Sequence, residues 1–220
     1  MHHRCSSVGR LIDRLAEETR ALQEESDADV ERILAQGTVE NYRRWLTRTY
    51  GFVSPLERSL ADTSGVERAI DPRRLRKHLL LEHDLQALGV KTSDIKALPQ
   101  CMSVPWFENV FEALGWAYVI ERSTLTHSSL FRTLAASIPG EVAFASSYLK
   151  CYFGSVGEMW RSFGEDLEAA VELPEQAETI VDAAKACYRH YRRWRNTIDG
   201  KALSVREPES TGSSTSRGRT

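Results

Sequence analysis

The chain has 220 residues, of which 41% are hydrophobic and 27% charged, and its formal net charge is −2. Such a composition predicts one globular domain with a buried core, and the small net charge excludes a strong general attraction to nucleic acid or to a membrane surface. No apolar run approaches the roughly 18–20 residues that span a bilayer, and the opening MHHRCSSVGR lacks the apolar core of a signal peptide. We therefore expect a cytoplasmic protein without a membrane span.

Helical periodicity dominates the chain, and the alternation typical of strands is nearly absent. A first helix is predicted over about residues 8–35, with a bend near Ser26. The second helix is predicted to begin at Thr38. A kink or a break is expected inside it, at Gly51 and Pro55.

The middle of the chain contains its most apolar segment. The pair Asp71-Pro72 is a helix start, with a side-chain cap followed by proline, and this helix should run to Leu88. Residues 106–136 are apolar on more than one side, which is typical of a central, buried helix. Pro139 breaks that segment.

Three helices are predicted to complete the domain, over about residues 142–153, over 155–171 after a hinge at Gly154, and from Pro174 to Asp199. The fold class is therefore all-α.

The domain itself is predicted to cover residues 8–200. The remaining ends, 1–7 and 204–220, are predicted to be disordered tails, the second because it is rich in Ser, Thr, Gly and Arg.

Five stretches follow one another in a distinctive order. They are RLAEETRALQEES (14–26), ENYRRWLTRTYGFVSPLE (40–57), LEHDLQALG (81–89), GWAYVIERSTL (115–125) and YLKCYFGSVGEMWRSFGEDLE (148–168). None is specific alone, but their order and spacing resemble the small haem oxygenases found beside bacterial phytochromes. The resemblance covers roughly residues 10–195 and implies a haem-oxygenase-like multihelical bundle.

The resemblance also implies a chemistry. In that family haem lies between the opening helix and a distal helix, a histidine of the opening helix ligates the iron, and distal glycines let the backbone approach the haem face. Oxygen then cleaves haem to biliverdin, CO and iron, with electrons from a separate reductase. Haem as substrate or ligand and a reductase as partner are therefore what the resemblance implies for this chain.

The iron-ligand position has changed in this sequence. The family has a Thr four residues before the histidine, and since that Thr is Thr19 here, the ligand position falls on Gln23. A neutral amide oxygen is a poor iron ligand compared with imidazole. No histidine lies between His3 and His78, so a shift in register does not supply one.

The distal helix has changed as well. The family pattern Gly-Ser-x-Leu-Gly-Gly falls on residues 122–127, where Arg122, Thr126 and His127 replace the glycines and Ser123 is kept. The three replacements are expected to project into or beside the space for haem. His127 is also a candidate iron ligand from the distal side.

Two arginines are candidates for binding an acidic ligand. Arg20 stands where family members often carry a basic residue directed toward a haem propionate, and guanidinium pairs well with carboxylate. Arg122 lies on a mainly apolar helix, so it needs an acidic partner from the protein or from a ligand.

Three other kinds of site are disfavoured by the spacing of their residues. His78 and His83 are five residues apart, about 140° around a helix, so they do not share a face. A di-iron site from Glu121, Glu82 and Asp84 has no histidine partner at helical spacing. The basic aromatic run YRHYRRWR, 188–195, fits a packed helix face better than a nucleic-acid surface.

Three hypotheses for function remain open. The chain is a working haem oxygenase with an unexpected ligand such as His127; a non-enzymatic binder of haem, another tetrapyrrole or another acidic, apolar ligand; or a structural or interaction protein whose old pocket is filled by Arg122, Thr126 and His127.

Overall fold

The computed structural model describes residues 11–197, and in that range the chain is all-α, as predicted, with no strand. The predicted tails, 1–7 and 204–220, lie outside the described residues. The helices are α1 (Leu11–Glu18), α2 (Arg20–Leu34), α3 (Val39–Asp62), α4 (Val66–Ala69), α5 (Lys77–Ala87), α6 (Thr92–Lys96), α7 (Val110–Ser123), α8 (His127–Ser137), α9 (Pro139–Phe144), α10 (Val156–Ala170) and α11 (Pro174–Thr197).

Helix α7 is the central helix of the bundle. Every residue from Ala113 to Glu121 is buried, which confirms the prediction of a central helix. It packs lengthwise against α11, and a Cβ atom on Gly115 would lie only 2.3 Å from the carbonyl oxygen of Ile180. Glycine therefore permits the close approach of these two helices.

The predicted start of this central helix was wrong. It begins at Val110 because the Asn109 side chain accepts hydrogen bonds from the N–H groups of Phe111 and Glu112, both at 3.0 Å. Trp106, predicted to be part of the buried segment, lies before the helix and is 71% exposed. The segment is also interrupted by a 3₁₀ turn, Thr124–Thr126.

The first two helices meet at Thr19, whereas the sequence predicted a bend near Ser26. The Thr19 hydroxyl donates a hydrogen bond to the carbonyl oxygen of Leu15 at 2.7 Å, and its backbone leaves helical geometry at φ −103°, ψ 0°. A threonine that bonds back to the preceding turn bends a helix in this way. Ser26 lies within the regular part of α2.

Of the kink or break predicted in α3, the break does not occur, because the helix continues through Pro55. Proline has no N–H group for the carbonyl of Gly51, one turn earlier. That carbonyl instead accepts a hydrogen bond from the N–H group of Cys101 at 2.8 Å. A Cβ atom on Gly51 would lie 2.5 Å from the Pro99 carbonyl oxygen, so glycine is required for this approach.

Other boundaries differ more modestly. The Asp71 carboxylate caps the chain as predicted, accepting from the Arg73 N–H group at 2.9 Å, but a 3₁₀ turn at Pro72–Arg74 precedes α5. Pro139 follows the end of α8 and starts α9, while residues 146–155 form turns where a helix was predicted. Among residues 11–197, no helix is both long and apolar enough to cross a membrane.

Candidate functional site

A narrow cleft separates α2 from α7, with α11 contributing to its wall. It encloses a cavity of about 20 Å³, which is room for about one water molecule. Its lining residues come from these three helices and are Gln23, Ser26, Asp27, Val119, Arg122, Ser123, Tyr188 and Tyr191. Most of them are polar, so the cleft differs from an ordinary apolar core.

The α2 side of the cleft carries an amide and a carboxyl group one helical turn apart. Gln23 Nε2 donates a hydrogen bond to Asp27 Oδ2 at 3.5 Å. Burial raises the pKa of the Asp27 carboxyl, and the positive charge of Arg122 opposes that rise. On α11, burial raises the pKa of Tyr188 far above its ordinary value, which keeps the phenol neutral.

Arg122 supplies the positive charge on the α7 side. It is half-buried, and its guanidinium forms no ion pair within 4.0 Å in the described part of the chain. Its electrostatic interaction with the Asp27 carboxyl acts across the cleft. The cleft thus holds a cation and an acid that influence each other without direct pairing.

Helix α2 is tied to α11 on the side next to this cleft. Arg192 Nε donates to Asp29 Oδ2 at 2.9 Å, and the buried Arg195 donates through Nη2 to Ser26 Oγ at 2.6 Å. The guanidinium carbon of Arg195 also lies 4.4 Å from the centroid of the Tyr191 ring. These contacts hold α2 close to the bundle and keep the cleft narrow.

A buried polar network centres on Glu121, on the side of α7 away from the cleft. Its carboxylate accepts from Arg74 Nη1 at 2.8 Å, from Lys77 Nζ at 2.5 Å and from the Tyr152 hydroxyl at 3.1 Å. Burial lowers the pKa of Lys77, but the attraction of Glu121 outweighs it and the pKa is raised. Sequence reasoning missed this network, although an acidic residue on a very apolar helix was its signal.

Two of the three residues weighed for a di-iron site, Glu121 and Asp84, have other partners. Glu121 is engaged by Arg74 and Lys77, and Asp84 accepts from the backbone N–H groups of Ser147 and Tyr148 at 2.8 and 2.9 Å. Between residues 11 and 197, no three His, Cys, Asp or Glu side chains gather where they could hold a metal ion.

The sequence model of the heme oxygenase family matches residues 10–197. The chain belongs to the haem oxygenase family. No curated protein matches it significantly. Among solved structures, it is similar to the heme oxygenase from Neisseria meningitidis determined in NO- and CO-bound forms, with 22% identity, a TM-score of 0.74 and coverage of 91% of this chain and 97% of that one. At that identity the likeness shows the fold.

Three of the predicted site residues, Gln23, Arg122 and Ser123, line the cleft. Gln23 lies opposite Arg122 and Ser123, and Ser123 Oγ donates to the Ile120 carbonyl oxygen at 2.7 Å. Thr126 is half-buried and is not among the lining residues; its hydroxyl donates to the Ser123 carbonyl oxygen at 2.9 Å. The cleft residues that were not predicted as site residues are Ser26, Asp27, Val119, Tyr188 and Tyr191.

The other two predicted site residues lie elsewhere. Arg20 is exposed and does not line the cleft. His127 is buried away from the cleft, its ring centroid 4.6 Å from that of Tyr148 and its Nδ1 atom 3.7 Å from the Cys151 sulfur. Burial, reinforced by the positive charge of Lys77, lowers the pKa of His127 to about 3. The roles of Arg20 as a carboxylate anchor and of His127 as an iron ligand stay predictions.

Proposed function

We propose that this member of the haem oxygenase family no longer converts haem to biliverdin, and that its own side chains fill the cleft in which the family holds haem. The observation that carries the proposal is the size and lining of that cleft. About 20 Å³ remains between Gln23, Asp27 and Arg122, whereas pockets for small molecules typically measure roughly 300–1,000 Å³.

The donor atoms of the cleft do not fit haem iron. The Gln23 amide is neutral and weakly basic, and the raised pKa values of Asp27 and Tyr188 disfavour the anionic oxygens that would bind iron. His127 has a suitable ring nitrogen, but it packs against Tyr148 outside the cleft. We therefore assign no step of haem chemistry to these residues.

A second candidate function is the binding of haem or another tetrapyrrole without turnover. Arg122 favours it, because a half-buried guanidinium without an ion pair in residues 11–197 can pair with a ligand carboxylate. Binding would require α2 to move away from α7. Under this candidate the protein stores or delivers its ligand in the cytoplasm and needs no electron-donating reductase, which only the working enzyme would require.

Titration of the purified protein with hemin separates these functions. We expect no saturable change in the Soret region at micromolar hemin. A saturable band that is stable to reductant and oxygen would replace the first candidate with the second. A band that bleaches to a biliverdin spectrum would contradict both, and its loss in His127→Ala would identify the unexpected ligand.

A restored site tests whether the cleft residues are responsible. The triple variant Gln23→His, Arg122→Gly, Thr126→Gly returns the family's residues to the proximal position and to two distal positions. If side chains alone close the site, this variant should gain a Soret band, and turnover would follow when a reductant is supplied. The matched control is Arg122→Gly with Thr126→Gly alone, which removes the Arg122 side chain from the cleft without supplying a ligand. Equal behaviour of the two variants would contradict the assigned role of Gln23.

A further inference from the structure

A second, larger cavity lies outside the cleft, between α8 and the turns that follow α9. It measures about 330 Å³, within the roughly 300–1,000 Å³ typical of small-molecule sites. We call it the α8 groove, and its lining residues are Ser128, Phe131, Arg132, Leu149, Lys150 and Phe153. None of them takes part in the proposed function.

The apolar part of the groove is unusually exposed. Phe153 is 77% exposed and Phe131 half-buried, while Leu149 forms a buried floor at 5% exposure. Large apolar side chains that remain accessible beside a cavity mark surfaces that can bind a ligand. Aromatic rings would favour another ring packed against them.

The charged part of the groove is positive only. Arg132 and Lys150 are exposed, and within residues 11–197 neither forms an ion pair with a carboxylate. Lys150 Nζ lies 4.7 Å from the centroid of the Phe131 ring, so a cation and an aromatic surface stand side by side. No acidic residue lines the groove.

We propose that the α8 groove binds a small aromatic carboxylate, whose ring lies against Phe131 and Phe153 and whose carboxylate pairs with Arg132 or Lys150. The adjacent ring and cation match a ligand in which an anionic group is attached directly to an aromatic system. The volume, at the lower end of the range for such sites, suits one or two fused rings.

The test is a titration of ¹⁵N-labelled protein with 2-naphthoate, followed by amide chemical shifts. We expect saturable shifts at residues 128–132 and 149–153, with a dissociation constant on the order of 1 mM for a ligand of this size. The neutral analogue 2-naphthylmethanol should bind more weakly, by about fivefold, because it lacks the carboxylate.

A double variant tests whether the two cations of the groove contribute to binding. Arg132→Gln with Lys150→Gln should weaken naphthoate binding by about fivefold, as loss of the carboxylate does, since an exposed ion pair contributes up to roughly that factor. The matched control is Arg161→Gln with Lys96→Gln, which removes the same charge from exposed positions outside the groove. The control should bind as the parent does.

Three outcomes would overturn the proposal. They are the absence of saturable shifts at the groove amides, shifts confined to the cleft residues of α2, and equal weakening by the double variant and by its control.

Discussion

Two consecutive residues of α7 have opposite surroundings. Glu121 is 4% exposed and is bound by Arg74, Lys77 and Tyr152. Arg122 lines the cleft, where its positive charge lowers the pKa of Asp27 on another helix without an ion pair between the two. The two sides of the central helix therefore differ: one holds a buried network of paired charges, and the other holds a charge without an ion pair in residues 11–197.

The Glu121 side of α7 bears on the stability of the fold, whereas the Arg122 side belongs to the candidate functional site. A buried charge without a partner is costly, so the Glu121 network can persist only if every member keeps its contacts. Arg122 can be hydrated through the cleft, and losing its neighbours costs little. Gln23 and Arg122, which the sequence predicts at the family's haem site, lie on the cleft side, where we expect substitutions to cost less stability than at Glu121.

The largest expected effect is that of Glu121→Gln. The variant leaves Arg74 and Lys77 buried without their shared carboxylate, and removing one partner of a buried ion pair costs about 3–5 kcal/mol. We expect the free energy of unfolding in urea to fall by that amount.

Glu165→Gln is the control for this variant, because Glu165 is an exposed acid on α10. It should change stability by less than about 0.5 kcal/mol. A cost for Glu121→Gln as small as that of the control would contradict the comparison between the two sides of α7.

The next effect concerns His127 and pH. Its pKa is about 3 in the folded chain, against about 6.5 in an unfolded one. Below pH 6.5 the unfolded chain therefore binds a proton that the folded chain does not, and stability falls as the solution is acidified. This contribution amounts to about 2 kcal/mol between pH 6.5 and 4.5.

Urea unfolding at the two pH values measures it. His127→Asn cannot titrate, so its loss of stability on acidification should be smaller than that of the parent by about 2 kcal/mol. His83→Asn, at an exposed position on α5, should behave as the parent. An identical pH dependence in parent and His127→Asn would show that on acidification His127 becomes protonated in the folded protein as it does in the unfolded chain.

Much of the fold could be predicted from the sequence, since helix periodicity and caps are local. The continuity of α3 could not, because the carbonyl of Gly51 is satisfied by Cys101, fifty positions later in the chain. The Asn109 cap was available as a local signal and was overlooked.

The family pattern predicts that Gln23 and Arg122 lie on two sides of one site, and both residues line the cleft. Their role there stays a prediction. The direction of His127 was not predictable, because it depends on a 3₁₀ turn before α8 and on packing against Tyr148. Asp27 carries no motif, and its raised pKa arises from burial that only the packing of three helices produces.

Arg122→Gln tests the tolerant side of α7. We expect the free energy of unfolding to change by less than about 0.5 kcal/mol, as for a residue without a paired charge. The matched change on the other side, Arg74→Gln, leaves Glu121 with a single buried cation and should cost about 3 kcal/mol. Urea unfolding of both variants measures the difference, and equal costs would show that Arg122 is paired after all.

The smallest effect is on the titration of Asp27. Burial raises the pKa of this carboxyl and Arg122 lowers it, so Arg122→Gln should move the pKa further upward. A carboxyl with a raised folded-state pKa favours folding most at low pH, and that contribution is lost as the pH rises through the folded value. Carboxyl ¹³C shifts recorded against pH measure the change directly.

Arg20→Gln is the control, because it removes an exposed arginine that lies on α2 with Asp27 but outside the cleft. It should leave the Asp27 titration unchanged. If both variants shifted the pKa of Asp27 equally, the field at this carboxyl would come from the overall charge of the protein. The position of Arg122 in the cleft would then have no specific effect on the pKa of Asp27.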